Sequence, residues 1–191
     1  MRSNSEIRSE AKAALKGNWG TGALIEFVYG CINSLSSYFG IVGSLLLGFP
    51  VTLGKVNTFV RFNRGERLQL DTLNSAFKKP FYTKGMVVYL LTTIYVTLWS
   101  LLFFIPGIVK SCAYFLAPYI ILDDPTLTAG EAIDKSMQMM KGHKMQLFLM
   151  TLGHYALLWL SMFLLFIPAY WINAYYDTAY AKFYEEVKAN Y

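Results

Sequence analysis

The apolar stretch from Leu98 to Asp124 constrains the fold of this chain more than any other feature. It reads LWSLLFFIPGIVKSCAYFLAPYIILDD, and Pro106 and Gly107 interrupt its middle. A bilayer core about 30 Å thick needs only about 20 helical residues, so one straight helix over this stretch would be far too long. A Pro-Gly pair favours a turn, and proline is well tolerated at the start of a following helix. The stretch therefore predicts a hairpin of two membrane spans with the proline at its outer corner.

Composition indicates a membrane protein with several spans. Apolar residues make up 55% of the 191 residues and charged residues only 15%, whereas soluble domains carry about 25% charged residues. The charges cluster between apolar runs, which is typical of a polytopic helical membrane protein. The net charge of +5 is explained by basic segments that stay on the cytoplasmic side. No nucleic-acid recognition motif accompanies it, so we expect no nucleic-acid partner.

One order of elements recurs three times along the chain. Three apolar runs end at a proline, namely at Pro50, Pro106 and Pro168. Each lies downstream of a short amphipathic helix that ends in a basic cluster. We therefore expect an all-α polytopic fold in a single domain over 1–191, with three parallel repeats of an interfacial amphipathic helix plus a proline-cornered helical hairpin. The repeats are expected at about 1–63, 64–123 and 124–191.

The amphipathic helices carry recognisable start and stop signals. Ser3 with Glu6, and Thr128 with Glu131, match the capping box that begins a helix. Helices of this kind, rich in Lys and Arg next to a span, either lie in the membrane interface or pack on their neighbours as cytoplasmic helices, and both interpretations stay open. The glycines expected to end two of these helices are Gly17 and Gly142.

Charge placement favours six spans with both termini in the cytoplasm. With the N-terminus inside, every charge except those of Glu26, Lys55, Lys110 and Asp177 falls in a cytoplasmic segment or at the inner end of a span, and those four sum to zero. The three predicted outer corners carry no charge. Four spans remain an alternative, because the Gly/Ser-rich first hairpin is also compatible with a re-entrant loop. The predicted spans are 23–39, 45–62, 85–103, 106–122, 147–166 and 168–183.

Several stretches resemble a bacterial family of integral membrane proteins known as domain of unknown function 975. The resemblance covers nearly the whole chain and is most specific over 98–144. It implies a bacterial inner-membrane protein without an assigned activity, and it supplies no catalytic residues. The stretches that carry it are ALKGNWG (14–20), FNRGE (62–66), LWSLLFFIPGIVK (98–110), the segment 117–144 that begins APYIILDDP, and AYAKFYEE (179–186).

Polar residues inside the predicted spans are candidates for a site, because ionisable groups are costly in a membrane. Glu26 and Lys55 have opposite sign and similar depth in the first hairpin, so they form either a structural ion pair or a site for a polar ligand. Asp177 lies mid-span near Asn173 and several tyrosines. Interhelical packing and a proton- or cation-handling site both explain it. His154 is expected to be a packed, hydrogen-bonded residue rather than a ligand.

The other chemically notable residues are expected to be structural. Lys110 follows the second outer corner and is expected to extend outward to the interface. Asp123 and Asp124 precede Pro125, and a solvated turn is favoured there over a metal or acid–base site. The two cysteines lie in apolar runs without a Cys/His cluster, so we expect no metal and no cofactor. No known catalytic motif is present, and we expect no catalytic residues.

These patterns favour a non-enzymatic module of the bacterial cytoplasmic (inner) membrane. Its expected partners are membrane lipids, anionic ones included, and another membrane protein or a second copy of the chain. A small-molecule or ion transporter or pore with a central polar site is the alternative, and convergence of Glu26, Lys55 and Asp177 would favour it. An intramembrane enzyme would need Asp177, His154 and Glu26 to converge from different depths. The candidate ligands for lipid head groups are Arg8, Lys12, Lys16, Lys78, Lys79, Lys141 and Lys144.

Overall fold

Helices account for the regular structure of this chain. The computed structural model describes residues 2–77, 81–102, 104–164 and 166–191, and no strand occurs within those ranges. This confirms the all-α prediction. The elements of the first part are α1 (Asn4–Ala14), α2 (Trp19–Tyr38), α3 (Gly40–Gly43), a π-helical segment (Ser44–Gly48), α4 (Phe49–Asn63) and a 3₁₀ helix (Leu70–Phe77).

The second part contains the most apolar helices. Three segments of the described chain are long and apolar enough to cross a membrane, namely Phe81–Leu102, Ile105–Asp123 and Lys144–Leu164. Large apolar side chains on them face outward, as expected of helices that contact lipid. The elements here are α5 (Phe81–Leu102), α6 (Phe104–Tyr114), α7 (Ala117–Asp123), α8 (Ala129–Met139), α9 (Lys144–Ser161), a 3₁₀ turn (Met162–Leu164) and α10 (Ala169–Ala189).

Local sequence signals set the ends of α1 and α8. The side chain of Ser3 accepts a hydrogen bond from the Glu6 N–H, and the Glu6 carboxylate accepts one from the Ser3 N–H, so the predicted capping box is present. Thr128 and Glu131 form the same arrangement at α8. The glycines that follow these helices, with φ of +86° and +81°, are Gly17 and Gly142.

The apolar stretch from Leu98 to Asp124 folds back on itself as predicted. Helix α5 ends at Leu102, α6 begins at Phe104, and the two helices pack against each other. Pro106 therefore lies in the first turn of α6, where its missing N–H costs nothing. A Cβ on Gly107 would lie only 2.9 Å from the Cα of Ser100, so glycine permits the close approach of the two helices.

The first hairpin turns between the expected spans 23–39 and 45–62, but Pro50 does not form the corner as the repeat pattern predicted. Pro50 is buried within the first turn of α4, where its fixed φ suits a helix N-terminus. The turn lies at Gly40, whose φ of +65° is one that other residues rarely adopt. The chain then runs through α3 and the π-helical segment into α4 without another reversal. Pro80 and Lys78 lie outside the described residues.

The segment after the second corner is broken by Pro118. Proline cannot donate to the carbonyl four residues earlier and clashes with it, and α6 accordingly ends at Tyr114 while α7 begins at Ala117. Ser136 of α8 fills the gap, because its hydroxyl donates to Ala113 O (2.8 Å) and accepts from Leu116 N–H (3.2 Å). Ser136 is fully buried.

The packed core lies toward the end of the molecule that carries both termini. There the apolar faces of α1 and α8 are buried, with Ile7, Ala11 and Ile133 at most 3% exposed. Arg2 binds the Glu186 carboxylate through its backbone N–H (3.0 Å) and its Nε (2.6 Å), which ties the two ends of the chain together. The structure thus supports packing of these two helices on protein.

Candidate functional site

Three ionisable side chains from different helices meet inside the fold. Lys55 of α4 places its Nζ 2.8 Å from Asp177 Oδ2 on α10 and 3.4 Å from Glu26 Oε2 on α2. The Tyr29 ring lies under the same ammonium, 4.1 Å from Nζ. We call Glu26, Lys55 and Asp177 the triad. The structure thus pairs Glu26 with Lys55 and brings Asp177 to the same ammonium.

The triad is shielded from solvent to different degrees. The Glu26 side chain is 1% exposed, that of Lys55 14% and that of Asp177 21%. Glu26 Oε1 is buried without a hydrogen-bond partner among the described residues. Asp177 Oδ2 is also buried and forms an ion pair with Lys55, but no hydrogen bond, among those residues. A buried carboxylate oxygen left without a hydrogen bond is costly, so both acids of the triad are incompletely satisfied.

A second polar cluster lies beside the triad. His154 of α9 places Nε2 3.0 Å from Asn173 Oδ1 and Nδ1 3.2 Å from the Tyr180 hydroxyl. Because Asn173 Oδ1 can only accept, the proton belongs on Nε2. The imidazole also stacks on Tyr176, with ring centroids 4.3 Å apart. His154 is therefore a packed, hydrogen-bonded histidine, and its ring orients Tyr180 at the edge of the triad.

A cavity of about 480 Å³ opens next to the triad. Among its lining residues Lys55 and Asp177 are half-buried and Tyr180 is buried, whereas Thr93 and Ser111 are exposed. The charged side of the cavity is therefore more shielded from solvent than the side formed by α5 and α6. Apolar and aromatic side chains form much of the remaining wall. Six further hydroxyl-bearing residues that line it are Thr52, Tyr89, Thr92, Thr97, Tyr114 and Tyr119.

Asp123 is the centre of an ion-pair network, in contrast to the solvated turn expected from its sequence. Its carboxylate accepts from Arg64 Nη2 (2.7 Å) and the Tyr184 hydroxyl (2.7 Å), and Lys188 Nζ lies against the same group. Its side chain is only 14% exposed. The network joins the ends of α4, α7 and α10. Three of the stretches that carry the family resemblance thus meet at one point.

Asp124, in contrast, forms the expected turn. Its carboxylate accepts from the hydroxyl and the backbone N–H of Thr126, and these hydrogen bonds lower the pKa of the Asp124 carboxyl. Lys84 at the start of α5 donates to the carbonyls of the same loop, at Thr126 (3.0 Å) and Leu127 (3.1 Å). The loop is therefore fixed from both sides.

The basic candidates for lipid head groups are distributed over the end that carries both termini. Lys12, Lys16 and Lys141 are exposed, and Arg8 is half-buried. Lys144 borders an apolar groove of about 300 Å³ between α6 and α9. The remaining two candidates, Lys78 and Lys79, lie outside the described residues.

The described part of the chain contains neither a cluster of metal-ligating side chains nor a disulfide. No group of three His, Cys, Asp or Glu side chains there is arranged to hold a metal ion. Cys31 is exposed and Cys112 is buried, and both are free thiols. Lys110 lies over the Trp99 ring, 4.8 Å from its centroid, and does not line the cavity.

Sequence reasoning missed the cavity and the Asp123 network. Their residues come from helices far apart in the chain, and no local motif links them. The available signal was charge complementarity, because each of these charged residues follows the cytoplasmic end of a different predicted span, namely Arg64, Asp123 and Lys188.

Comparison with known proteins places the chain in a family. No curated protein and no solved structure matches it. A family model described as "Protein of unknown function (DUF975)" matches residues 1–111 and 104–191, which together cover the whole chain. The protein therefore belongs to the DUF975 family.

Proposed function

We propose that this protein crosses the bacterial cytoplasmic membrane six times, as three hairpins with both termini inside. Beyond the three apolar segments, α2, α4 and α10 would supply the other crossings. Each of these carries one member of the triad, and mutual pairing reduces the cost of placing Glu26, Lys55 and Asp177 in a membrane. The polar exterior of α1 and the tied chain ends support a cytoplasmic location for both termini.

Cysteine labelling tests this topology. In a background with serine at both native cysteines, Tyr38→Cys at the first corner should react with a membrane-impermeant maleimide added to whole cells. Lys12→Cys on α1 should react only after the membrane is permeabilised. Labelling of Lys12→Cys in intact cells would refute the orientation.

We further infer that the cavity binds an amphipathic membrane molecule and that the protein is a non-enzymatic binding module. The observation that carries this proposal is that Lys55 and Asp177 line one side of a cavity whose other walls are largely apolar and aromatic. Binding pockets commonly combine apolar walls with a few convergent polar groups. A polar head group would contact the two charged side chains and the hydroxyls, while hydrocarbon would lie against Phe49, Val96 and Phe115.

Native mass spectrometry of protein extracted in mild detergent tests this proposal. The wild-type chain should retain a bound amphiphile, and Lys55→Met and Asp177→Asn should lose it. Lys110→Met is the matched control, because Lys110 is also a lysine in an apolar segment but lies outside the cavity. A bare wild-type chain, or a ligand retained by both cavity variants, would contradict the proposal.

Contact with anionic lipid head groups at the cytoplasmic surface is a second element of this proposal. Lys12, Lys16 and Lys141 are exposed, and each basic residue near an anionic leaflet contributes about 1 kcal/mol. Reversing these three charges should reduce the anionic lipid that copurifies with the protein. Unchanged copurification would count against head-group binding.

Transport of a small polar molecule or ion is the alternative, and the convergence of the triad favours it. Three charged side chains beside one cavity form the central polar site that such a function needs. Proteoliposomes loaded with a pH-sensitive dye would show ion flux that depends on Lys55 and Asp177. Equal flux in wild-type and Asp177→Asn vesicles would exclude this role for the triad.

A further inference from the structure

The triad contains two acids and one base in a buried environment. Both carboxylates contact the same Lys55 ammonium, so their nearest oxygens lie within roughly 6 Å of each other. With all three groups ionised, the site would carry one uncompensated negative charge.

The described residues that surround the triad supply no second cation. Tyr29 on α2, Tyr119 on α7 and Tyr180 on α10 face it with neutral hydroxyl-bearing rings. His154 on α9 is held between Asn173 and Tyr180 with its proton on Nε2. Among the described residues, Lys55 of α4 supplies the positive charge at the site. An uncompensated charge in such a place costs far more than taking up a proton.

The geometry indicates which carboxyl group holds that proton. Asp177 is the closer partner of Lys55, at 2.8 Å against 3.4 Å for Glu26. Glu26 is the more deeply buried of the two acids, since its side chain is 1% exposed and that of Asp177 is 21% exposed. The ion pair therefore belongs to Lys55 and Asp177, and the neutral carboxyl belongs to Glu26.

We infer that the triad is a proton-binding site, in which the Glu26 carboxyl holds one exchangeable proton at neutral pH to balance the charges of Lys55 and Asp177. When the Lys55 ammonium moves away from Asp177, the proton can move from the Glu26 carboxyl to the Asp177 carboxyl, because the two acids share one ammonium. If the cavity binds the ligand proposed above, a cationic head group on that ligand would replace the proton, and binding would release it.

Infrared spectroscopy of the detergent-solubilised protein tests the inference without any ligand. At pH 7 the wild type should show the carbonyl band of an un-ionised carboxylic acid. Glu26→Gln should abolish this band. Asp177→Asn should abolish it too, because a single carboxylate beside Lys55 is balanced and stays ionised. Glu66→Gln is the control, since Glu66 is exposed and paired with Arg61 at 2.8 Å, and it should leave the band unchanged.

The outcomes separate this inference from its competitors. Absence of the band in the wild type, or its persistence in Glu26→Gln, would overturn proton binding at Glu26. Persistence in Asp177→Asn would show that burial alone protonates Glu26 and would overturn the charge-balance account. Size-exclusion profiles identify any variant that fails to fold, and the two substitutions provide independent tests. A bare chain in native mass spectrometry with the band present would refute only the ligand proposal.

Discussion

Replacing Ser136 with alanine should destabilise the fold at the Pro118 break. The hydroxyl of Ser136 holds Ala113 O and Leu116 N–H, the two backbone groups released where α6 and α7 separate. Ser136, Ala113 and Leu116 are at most 1% exposed, so water does not replace the lost oxygen. Each buried backbone group left without a partner costs about 1–3 kcal/mol.

The magnitude follows from these two contacts. The free energy of unfolding of Ser136→Ala should fall by about 2–4 kcal/mol, since relaxation around the missing oxygen recovers part of the cost. For a chain of this length, that corresponds to a decrease in melting temperature of about 5–15 °C. Thermal unfolding in detergent, followed by circular dichroism, measures the shift.

Ser161→Ala is the matched control for this substitution. Ser161 is also buried, at 2% exposure, but its hydroxyl donates only within its own helix, to Leu158 O at 2.6 Å. Its loss should cost less than about 1 kcal/mol. If Ser136→Ala shifts the melting temperature no more than Ser161→Ala does, then Ser136 does not hold the break together.

Three further predictions concern the hairpin, the Asp123 network and pH. Gly107→Ala should destabilise the fold by about 1–3 kcal/mol, because the added methyl group would overpack against α5. Gly130→Ala is the control and should be neutral or stabilising, because the space around Gly130 is open. Equal melting temperatures of the two variants would refute the close approach of α5 and α6 at Gly107. Asp123→Ala should lower the free energy of unfolding by about 1–3 kcal/mol, chiefly by leaving the buried Tyr184 hydroxyl without its acceptor. Adding Tyr184→Phe to this variant should recover part of the lost stability. Additive losses from the two substitutions would contradict the hydrogen bond between Tyr184 and Asp123. The hydrogen bonds from Thr128 lower the pKa of Glu131, so the capping box of α8 should stabilise the fold above about pH 4.3, the usual glutamate pKa, and lose that effect as pH falls through the lowered value. A carboxyl titration of Glu131 by NMR with an ordinary midpoint would exclude this.

Sequence reasoning succeeded where structure depends on neighbouring residues. The capping boxes of α1 and α8 involve residues three apart, such as Ser3 and Glu6, and they formed as predicted. The hairpin after Leu98 followed from span length and the Pro-Gly pair. Both signals act within a few residues, so distant parts of the chain do not override them.

Sequence reasoning failed where one local signal is compatible with two structures, and where the packing of distant helices determines which residues meet. A proline such as Pro50 suits both a corner and the first turn of a helix, and here Gly40 provides the corner. Glu26 and Lys55 belong to neighbouring helices, so their pairing was foreseeable. The approach of Asp177 from α10 depends on how that helix packs against α2 and α4. No pattern within α10 reveals that packing.

The order of the triad along the chain has a consequence for biosynthesis. Glu26 and Lys55 leave the ribosome early and close together, whereas Asp177 follows only when most of the chain has been made. Until then Glu26 and Lys55 balance each other, so in the topology proposed above the first hairpin would enter the bilayer with no net charge from this pair. Asp177, on α10, adds the second negative charge to the triad. The same helix contains Glu186, which accepts a hydrogen bond from Arg2. Assembly is therefore completed by the last helix, which joins the end of the chain to its beginning.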